Sequence, residues 1–290
     1  MPALNLLVES EHEFVGVLTM PDAPQGRGRE IGENEFALEA RAAGFPVFKP
    51  KNSDELLEVL AKTNVDLVVT IAYGRLIRLR ELTQPKNGWL NIHFSLLPRW
   101  RGAAPAQRAI EAGDKRSGVT VFKLDEGLDT GPVYATIEYE LREDEDSSTL
   151  LRQLSSLSVT PLAKALEMID GNIEPVAQSN VGVTTAAKLT KAEGRVEWTN
   201  ENRVIERKIR AFSPWPIAWT KLGEQRISIT KARLSSNHAE PGRIIPGENL
   251  VVGCGRGSLE ILSLKPEGKR EMSATEWIRG ARLTQDARFE

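Results

Sequence analysis

The sequence predicts an α/β protein with a doubly wound, mostly parallel sheet, followed by a smaller domain of short strands. From residue 13 to residue 172, short β-branched runs alternate with helical stretches, and this alternation is typical of doubly wound sheets. Beyond residue 195, several short apolar runs are separated by turn residues, which favours a β-barrel or a sandwich. A length of 290 residues also suits two domains better than one.

The elements of the first part follow from apolar spacing and from residues that begin or end helices. The run 33–44 has helical spacing and ends at a glycine, and Ser53 is the expected N-cap of the helix that follows it. The run 65–74 is apolar on both faces, as a buried parallel strand should be. A long helix over 144–172 should kink at Pro161. The other predicted strands are 13–20, 45–50, 89–95, 117–124 and 132–141, and the other predicted helix is 104–114.

Residues 176–194 are polar and weakly periodic, which predicts a linker. The first domain should therefore cover residues 1–175, and the second should cover residues 195–290. The second domain is expected to begin with a helix and to continue with short strands. The helix is 202–212, and the strands are 226–234, 242–250 and 251–264.

The composition excludes several classes of protein. Cys254 is the single cysteine, so neither an internal disulfide nor a cysteine-based metal site can form, and no metal is expected. This cysteine usage fits a reducing cytoplasm, where we expect the protein to act. No apolar run approaches the ~20 residues that span a bilayer, and the N-terminus lacks the pattern of a signal peptide. We therefore expect no membrane partner.

Charge is distributed unevenly along the chain. Residues 188–290 hold 19 Lys and Arg against 13 Asp and Glu, a net charge of +6, whereas the preceding residues carry −8. The C-terminal excess would attract a polyanion. On charge alone, an ordinary solvated surface is the simpler interpretation.

The run 89–95 is the strongest candidate for a site. Alternate residues of a strand share a face, so Asn91, His93 and Ser95 should point one way and Ile92 the other. Ligand sites in open α/β sheets lie beyond the carboxyl ends of strands, where these polar residues would sit. An asparagine that stabilises an oxyanion and a histidine that exchanges protons suit acyl transfer. A histidine satisfied within the core, or an edge strand facing solvent, is the alternative.

A histidine that acts as a base needs a carboxylate to orient it and to stabilise its charged form. The best candidates lie in the glycine-containing turn 124–132, which carries Asp125, Glu126 and Asp129. Acidic residues are common in turns for purely local reasons, so the residues alone do not choose among the three.

Two further segments carry weaker signals. The loop 21–30 contains Arg27 and Arg29, and flexible basic loops contact nucleic-acid phosphates, but a mobile surface turn has the same composition. Trp215 and Trp219 lie among prolines, and we expect them to pack between a helix and the barrel rather than to stack on bases.

Five motifs make the chain resemble the formyltransferases that use 10-formyltetrahydrofolate, and most closely those that act on methionyl-tRNA. Folate-dependent formyltransferases in general share the first two motifs, and the pieces RGAAP and SPWP narrow the resemblance to the tRNA-directed branch. The likeness runs over nearly the whole chain. The motifs are NIHFSLLPRWRGAAPAQ (91–107), SGVTVFKLDEGLDTGPV (117–133), PDAPQGRGR (21–29), KLTKAEGRVEW (188–198) and AFSPWPIAW (211–219).

The resemblance implies a role for each candidate residue. The family's catalytic asparagine, histidine and aspartate correspond to Asn91, His93 and Asp129. The first two would stabilise the oxyanion as the methionyl α-amine attacks the formyl carbon, and Asp129 would support His93 and help to relay a proton. The folate would contact the turn Ser95, Leu96, Leu97 and Pro98, together with the backbone around Ile71, Tyr73 and Gly74.

The resemblance also implies the partners. Initiator methionyl-tRNA would accept the formyl group from 10-formyltetrahydrofolate, with Arg27 and Arg29 against the acceptor end of the tRNA. The second domain, a β-barrel resembling an OB fold in this family, would hold the acceptor arm, which favours the polyanion interpretation of its charge. We expect a cytoplasmic monomer that needs no metal.

One departure from the family is large. Relatives begin with a buried strand and a Gly-Thr-Pro turn, ahead of the helix with which this chain starts. The first strand of a doubly wound sheet is central, so its loss removes ladder hydrogen bonds on both sides. We therefore expect Met1 to be a misassigned start, about 15 residues late, and a chain from Met1 to be poorly stable.

Other functions stay open at this point. A formyltransferase that acts on another amine, such as that of an amino-sugar nucleotide, would use the same three catalytic residues. A hydrolase of 10-formyltetrahydrofolate would share them too, but it would leave the C-terminal domain unexplained. A chain without its first strand could instead be a non-catalytic tRNA-binding protein.

Overall fold

The computed structural model describes residues 2–25, 30–245 and 247–290. These residues form two compact units. Unit 1 contains the residues up to Arg101 together with 118–138 and 154–184. Unit 2 contains residues 102–117, 139–153 and 185–290.

Helices and short strands alternate along the described residues. The helices are α1 (Pro2–Glu9), α2 (Glu35–Ala42), α3 (Ser53–Thr63), α4 (Leu79–Leu82), α5 (Pro105–Ala112), α6 (Ser147–Leu157), α7 (Val159–Asp170), α8 (Asn202–Ala211) and α9 (Ala274–Ala281). The strands are β1 (Val17–Leu18), β2 (Ala23–Gln25), β3 (Glu30–Gly32), β4 (Val47–Phe48), β5 (Val68–Thr70), β6 (Trp89–His93), β7 (Arg101–Gly102), β8 (Arg116–Lys123), β9 (Val133–Glu140), β10 (Thr185–Ala186), β11 (Ala218–Leu222), β12 (Gln225–Ser235), β13 (Ile244–Ile245), β14 (Leu250–Gly253), β15 (Ser258–Pro266) and β16 (Met272–Ser273). None of the described helices is long and apolar enough to cross a bilayer.

Unit 1 is built on a four-stranded sheet with the strand order β5-β6-β8-β9. Strand β6 lies inside this sheet, pairing parallel with β5 and antiparallel with β8. Strands β1 and β4 form a separate parallel pair. The predicted α/β class is confirmed. The expectation of a further strand upstream of Met1 stays a prediction.

Helix α3 shows how local sequence places an element of unit 1. The side-chain oxygen of Asn52 accepts a hydrogen bond from the backbone N–H of Glu55, which satisfies one of the otherwise unpaired N–H groups of the first turn. Asn52 is therefore the N-cap, and the predicted cap, Ser53, is the first helical residue. Leu56 and Leu60, one turn apart, are buried in a hydrophobic cluster with Ile77, Leu82 and Trp89.

The long helix predicted over 144–172 is two helices. Helix α6 ends at Leu157 and α7 begins at Val159, while Ser158 between them keeps helical backbone angles (φ −60°, ψ −21°), so the interruption is confined to the turn before Pro161. In a continuous helix the proline ring would collide with the carbonyl of Leu157, four residues earlier. After the break, Pro161 lies in the first turn of α7, where the missing N–H would have had no partner.

Unit 2 contains an antiparallel sheet of six strands in the order β11-β12-β15-β14-β13, with β16 paired to β15. The register between β12 and β15 shifts on either side of Lys231, which marks a bulge, and bulges increase twist and bend a strand. Helices α8 and α9 bury Ile205, Ile209 and Trp277 in the core of this sheet, which also holds Cys254. The curled sheet confirms the prediction for the second part, whereas α9 has no counterpart among the predicted elements.

Phe289 supports a prediction about the stability of unit 2. Its ring is 2% exposed and stacks on Trp198, with 5.8 Å between ring centroids. We expect Phe289→Ala to lower the free energy of unfolding by about 3–5 kcal/mol, because it leaves a cavity beside the indole. Urea unfolding followed by tryptophan fluorescence measures the change. The exposed control Leu234→Ala should change the free energy of unfolding by less than about 0.5 kcal/mol. An equally small change for Phe289→Ala would contradict the expected contribution of its buried ring to the core of unit 2.

Candidate active site

Strand β6 carries two polar side chains at its carboxyl end. Asn91 lies opposite Thr70 of β5, and His93 lies opposite Thr120 of β8. Because they are two residues apart in a strand, Asn91 and His93 project from the same face of the sheet. The structure thus brings the predicted amide and imidazole together.

The imidazole of His93 is buried, and each of its nitrogens faces an oxygen atom of another residue. Its Nε2 lies 2.8 Å from the carbonyl oxygen of Trp100. A carbonyl oxygen can only accept, so Nε2 carries the hydrogen and donates it. Its Nδ1 faces the carboxylate of Asp129, with 3.7 Å between Nδ1 and Oδ2. That separation is longer than a hydrogen bond, so the carboxylate acts on the ring through its charge.

Burial lowers the pKa of His93 below its ordinary value, because the imidazolium form loses its hydration inside the protein. The negative charge of Asp129 and the hydrogen bond to Trp100 oppose this effect, since both favour the charged form. The ring is therefore neutral at neutral pH, yet a carboxylate stands close enough to stabilise it once it takes up a proton. This is the electrostatic arrangement of a general base.

The side-chain amide of Asn91 is oriented by Thr70. The hydroxyl of Thr70 lies 2.8 Å from Oδ1 of Asn91 and donates to it, and it also lies 3.0 Å from the carbonyl oxygen of Leu90. Among the described residues, Nδ2 of Asn91 has no hydrogen-bond acceptor. The amide therefore offers a donor on the face that it shares with His93, which is what a developing oxyanion requires.

The turn after β8 carries the three acidic candidates, and Asp129 is the one beside His93. Asp125 accepts hydrogen bonds from a backbone N–H of the turn and from the hydroxyl of Thr130, so it stabilises the turn itself. Glu126 is exposed. Asp129 has a φ of 53°, and its side chain is 14% exposed. The structure thus separates residues that the composition of the turn leaves equivalent, and the residue beside His93 is the one that the family resemblance implies.

The turn 95–98 follows β6 directly. The hydroxyl of Ser95 donates to the carbonyl oxygen of Arg99 at 2.6 Å, and the carbonyl of Ser95 accepts from the hydroxyl of Thr120. The predicted strand 89–95 is therefore two residues too long, because Ser95 bonds within the turn rather than along the ladder. The other residues of the turn are partly exposed: Leu96, Leu97 and Pro98.

The loop after β5 leaves the sheet at the same edge, because β5 and β6 are parallel. Ile71 and Gly74 are exposed, whereas the ring of Tyr73 packs against the hydrophobic cluster that contains α3. The hydroxyl of Tyr73 is buried without a hydrogen-bond partner among the described residues. Arg75 holds the loop in place by donating to the fully buried carboxylate of Glu81 at 2.8 Å.

The segment 176–184, predicted to be part of a linker, contacts the loops that carry the site. The side chain of Gln178 donates to the carbonyl oxygen of Asp129, and the hydroxyl of Thr184 accepts from the N–H of Trp100. Sequence reasoning missed both residues. A glutamine and a threonine in a polar, aperiodic run carry no signal that could have identified them.

Some candidates do not join this site. Arg27 and Arg29 lie outside the residues that the structure describes. Trp215 is 49% exposed, so the packing prediction is wrong for this residue, which lies in a turn between two prolines. Trp219 lies in β11, where its indole N–H donates to the carbonyl oxygen of Lys191.

Two cavities, of about 340 and 460 Å³, are lined by residues of unit 2 and contain none of the three central residues, Asn91, His93 and Asp129. Within the part of the chain that the structure describes, no group of three or more His, Cys, Asp or Glu side chains could hold a metal ion.

Comparison with known proteins places the chain in a family. The family model described as formyl transferase matches residues 3–166, and the model described as formyl transferase, C-terminal domain, matches residues 188–282. The methionyl-tRNA formyltransferase of Acidothermus cellulolyticus is 40% identical over 312 residues, which cover 100% of this chain and 96% of that protein. The enzyme of the same name from Streptomyces coelicolor is 40% identical over 295 residues, covering 99% and 95%.

Among solved structures, the chain is similar to an N-formyltransferase from Helicobacter canadensis in complex with folinic acid and dTDP-3-aminofucose. The TM-score is 0.67 over 93% of this chain and 94% of that one, and at 16% identity the likeness concerns the fold. The sequence matches carry more weight, because they combine 40% identity with coverage of nearly the whole of both chains. On these grounds, the chain belongs to the formyl transferase family.

Proposed function

We propose that this protein transfers the formyl group of 10-formyltetrahydrofolate to the α-amine of initiator methionyl-tRNA. The observation that carries the proposal is the convergence of an amide, an imidazole and a carboxylate at the end of β6, in a member of the formyl transferase family. Relatives that are 40% identical over the whole chain are methionyl-tRNA formyltransferases, which favours this amine over others.

Asn91 is proposed to stabilise the oxyanion. Bound 10-formyltetrahydrofolate supplies the formyl carbon that the amine attacks, and negative charge then develops on the formyl oxygen. Nδ2 of Asn91 would donate a hydrogen bond to that oxygen. The contact with Thr70 supports this role, because it engages Oδ1 and leaves the donor end of the amide available.

His93 is proposed to take the proton that the attacking amine loses. Its Nε2–H is donated to Trp100, so the lone pair of the neutral ring is on Nδ1. When Nδ1 binds the proton, the imidazolium gains the attraction of the Asp129 carboxylate at 3.7 Å. His93 can then return the proton to the nitrogen of the leaving group, which completes the transfer.

Folate is proposed to lie between the turn 95–98 and the loop after β5. Both segments leave the carboxyl ends of neighbouring parallel strands, where ligands of open α/β sheets bind. The apolar residues of the turn offer surface to a flat ring, and the loop offers its backbone at Ile71 and Gly74. The hydroxyl of Ser95 is used within the turn, so its contribution is to shape the turn.

The division of labour along the chain is part of the proposal. Residues 1–175 would catalyse the reaction, residues 176–194 would connect the two parts, and residues 195–290 would hold the acceptor arm of the tRNA. The net charge of +6 from Lys188 onward suits a polyanionic partner. Arg27 and Arg29 would contact the acceptor end, and the protein would act as a monomer in the cytoplasm.

A formylation assay with purified protein and a radiolabelled formyl donor tests the proposed reaction. We expect label on methionyl-tRNA and none on a UDP-amino-sugar offered at the same concentration. Label on the sugar nucleotide alone would replace the proposal by an amino-sugar formyltransferase. Tight tRNA binding with no label on either acceptor would replace it by a tRNA-binding protein.

Removal of the imidazole is expected to separate catalysis from tRNA binding. His93→Ala should lower the rate of formyl transfer by about 10²–10⁴-fold, the usual contribution of an acid–base group, while the affinity for tRNA stays unchanged. The matched control is His12→Ala, because His12 is exposed and lies outside the residues proposed to hold the tRNA. Equal rates for the two variants would remove His93 from the mechanism.

The charge of Asp129 is expected to raise the pKa of His93. Asp129→Asn removes a negative charge that favours the imidazolium, so the pKa of His93 should fall further below its ordinary value. The acid limb of kcat/KM, which reports protonation of the base, should move to lower pH. NMR titration of His93 measures the pKa directly, with Glu126→Gln as a control that removes an exposed charge from the same turn. A rise in the pKa of His93 in Asp129→Asn would contradict the proposal that the carboxylate stabilises the imidazolium.

A further inference from the structure

We propose that Gln178 is a positioning residue that sets the distance between the carboxylate of Asp129 and the imidazole of His93. This inference rests on the proposed function of that pair. Gln178 lies after α7 and outside any described helix or strand, in the segment predicted to be a linker. Its side chain is partly buried.

The amide of Gln178 uses its full hydrogen-bonding capacity. Its Nε2 donates to the carbonyl oxygens of Asp129 and Gly131, both at 2.8 Å. Its Oε1 accepts from Nε and Nη2 of Arg101, at 3.1 and 2.7 Å. Carbonyl oxygens only accept and a guanidinium only donates, so the amide can take one orientation. A side chain with four directed contacts to groups of fixed polarity holds them at defined separations.

The backbone to which Gln178 donates, at Asp129 and Gly131, is conformationally strained or tightly packed. Asp129 has a φ of 53°, in the left-handed region that L-residues rarely occupy. Two residues later, a Cβ on Gly131 would lie 1.8 Å from the carbonyl oxygen of Lys123, so the chain there passes too close for any side chain. The hydrogen bonds from Gln178 fall on the carbonyls of these same two residues, on either side of Thr130.

Arg101, which donates to Oε1 of Gln178, lies next to the residue that accepts the hydrogen bond from His93. Arg101 follows Trp100, whose carbonyl accepts the hydrogen bond from Nε2 of His93. Thr184 fixes the same two residues, with its hydroxyl on the N–H of Trp100 and its carbonyl on the N–H of Arg101. Gln178 therefore joins the loop that holds Nε2 of His93 to the loop that faces Nδ1.

This placement has a consequence for the reaction. The attraction between Asp129 and the imidazolium depends on the distance of 3.7 Å between Oδ2 and Nδ1. No direct hydrogen bond between these two side chains fixes that distance. If the carbonyls of Asp129 and Gly131 lose their donors, the turn can relax and the carboxylate can move. A misplacement of about 1 Å at a catalytic group can lower the rate by about 10²-fold.

Two variants of Gln178 test the role of the donors. Gln178→Met keeps the length of the side chain and removes all four hydrogen bonds. Gln178→Glu keeps the acceptor for Arg101 but replaces the donors by an oxygen that repels both carbonyls. We expect both to lower kcat for formyl transfer by about 10- to 100-fold with little change in KM for either substrate. The control is Ser179→Ala, at the exposed next residue, which should retain the parent rate.

A double-mutant cycle separates positioning from a general loss of structure. In an Asp129→Ala background there is no carboxylate to misplace, so Gln178→Met should lower kcat by less than about 2-fold. Thermal unfolding of each variant shows whether the fold is retained. A full loss of activity from Gln178→Met in both backgrounds, or a parent-like rate for Gln178→Glu, would overturn the inference.

NMR titration of His93 gives a readout that does not depend on turnover. Gln178→Met should lower the pKa of His93, as Asp129→Asn should, because the carboxylate moves away from the ring. If Gln178→Met lowers the pKa of His93 but the parent protein does not formylate methionyl-tRNA, the role of Gln178 is supported and the proposed function is wrong. An active parent chain in which Gln178→Met leaves the pKa and kcat unchanged would remove the role of Gln178 alone.

Discussion

The hydrogen bond from Nε2 of His93 to the carbonyl oxygen of Trp100 is the interaction on which the site depends. It fixes the tautomer of a buried ring, and so it decides that the lone pair of the neutral form is on Nδ1. It also fixes the plane of the ring, and with it the direction in which Nδ1 faces Asp129. If Nδ1 were the donor instead, the same carboxylate would bond to an N–H, and the basic nitrogen would face a carbonyl oxygen.

Two opposing electrostatic effects make this histidine suitable as a base. Burial lowers its pKa, which keeps the ring neutral and able to accept a proton. The charge of Asp129 limits that effect and stabilises the ring once the proton has been taken up. Because Nδ1 of the neutral ring carries no hydrogen, the carboxylate 3.7 Å away does not bond to it before the ring takes up a proton, and its negative charge then stabilises the imidazolium.

The residues that maintain this geometry come from distant parts of the chain. Strand β6 supplies Asn91 and His93 from inside the sheet, where pairing on both sides restricts the backbone. The turn after β8 supplies Asp129, and the segment after α7 supplies Gln178 and Thr184. The segment 176–184 therefore belongs to the support of the site as much as to the connection between parts of the chain. A polar, irregular segment can be structurally essential when its side chains satisfy the backbone of other loops.

The sequence by itself determined the α/β class, the family, and the placement of Asn91 and His93 on one face of one strand. The class and the shared face follow from apolar spacing and from alternation along a strand, which are local properties that neighbouring residues display, whereas the family follows from the resemblance of five motifs. Tertiary structure alone decided how far the carboxylate of Asp129 lies from His93, which ring nitrogen carries the hydrogen, and that Gln178 contacts the carbonyl of Asp129. Each of these depends on distances between segments that are far apart in the chain, and no local pattern encodes such distances.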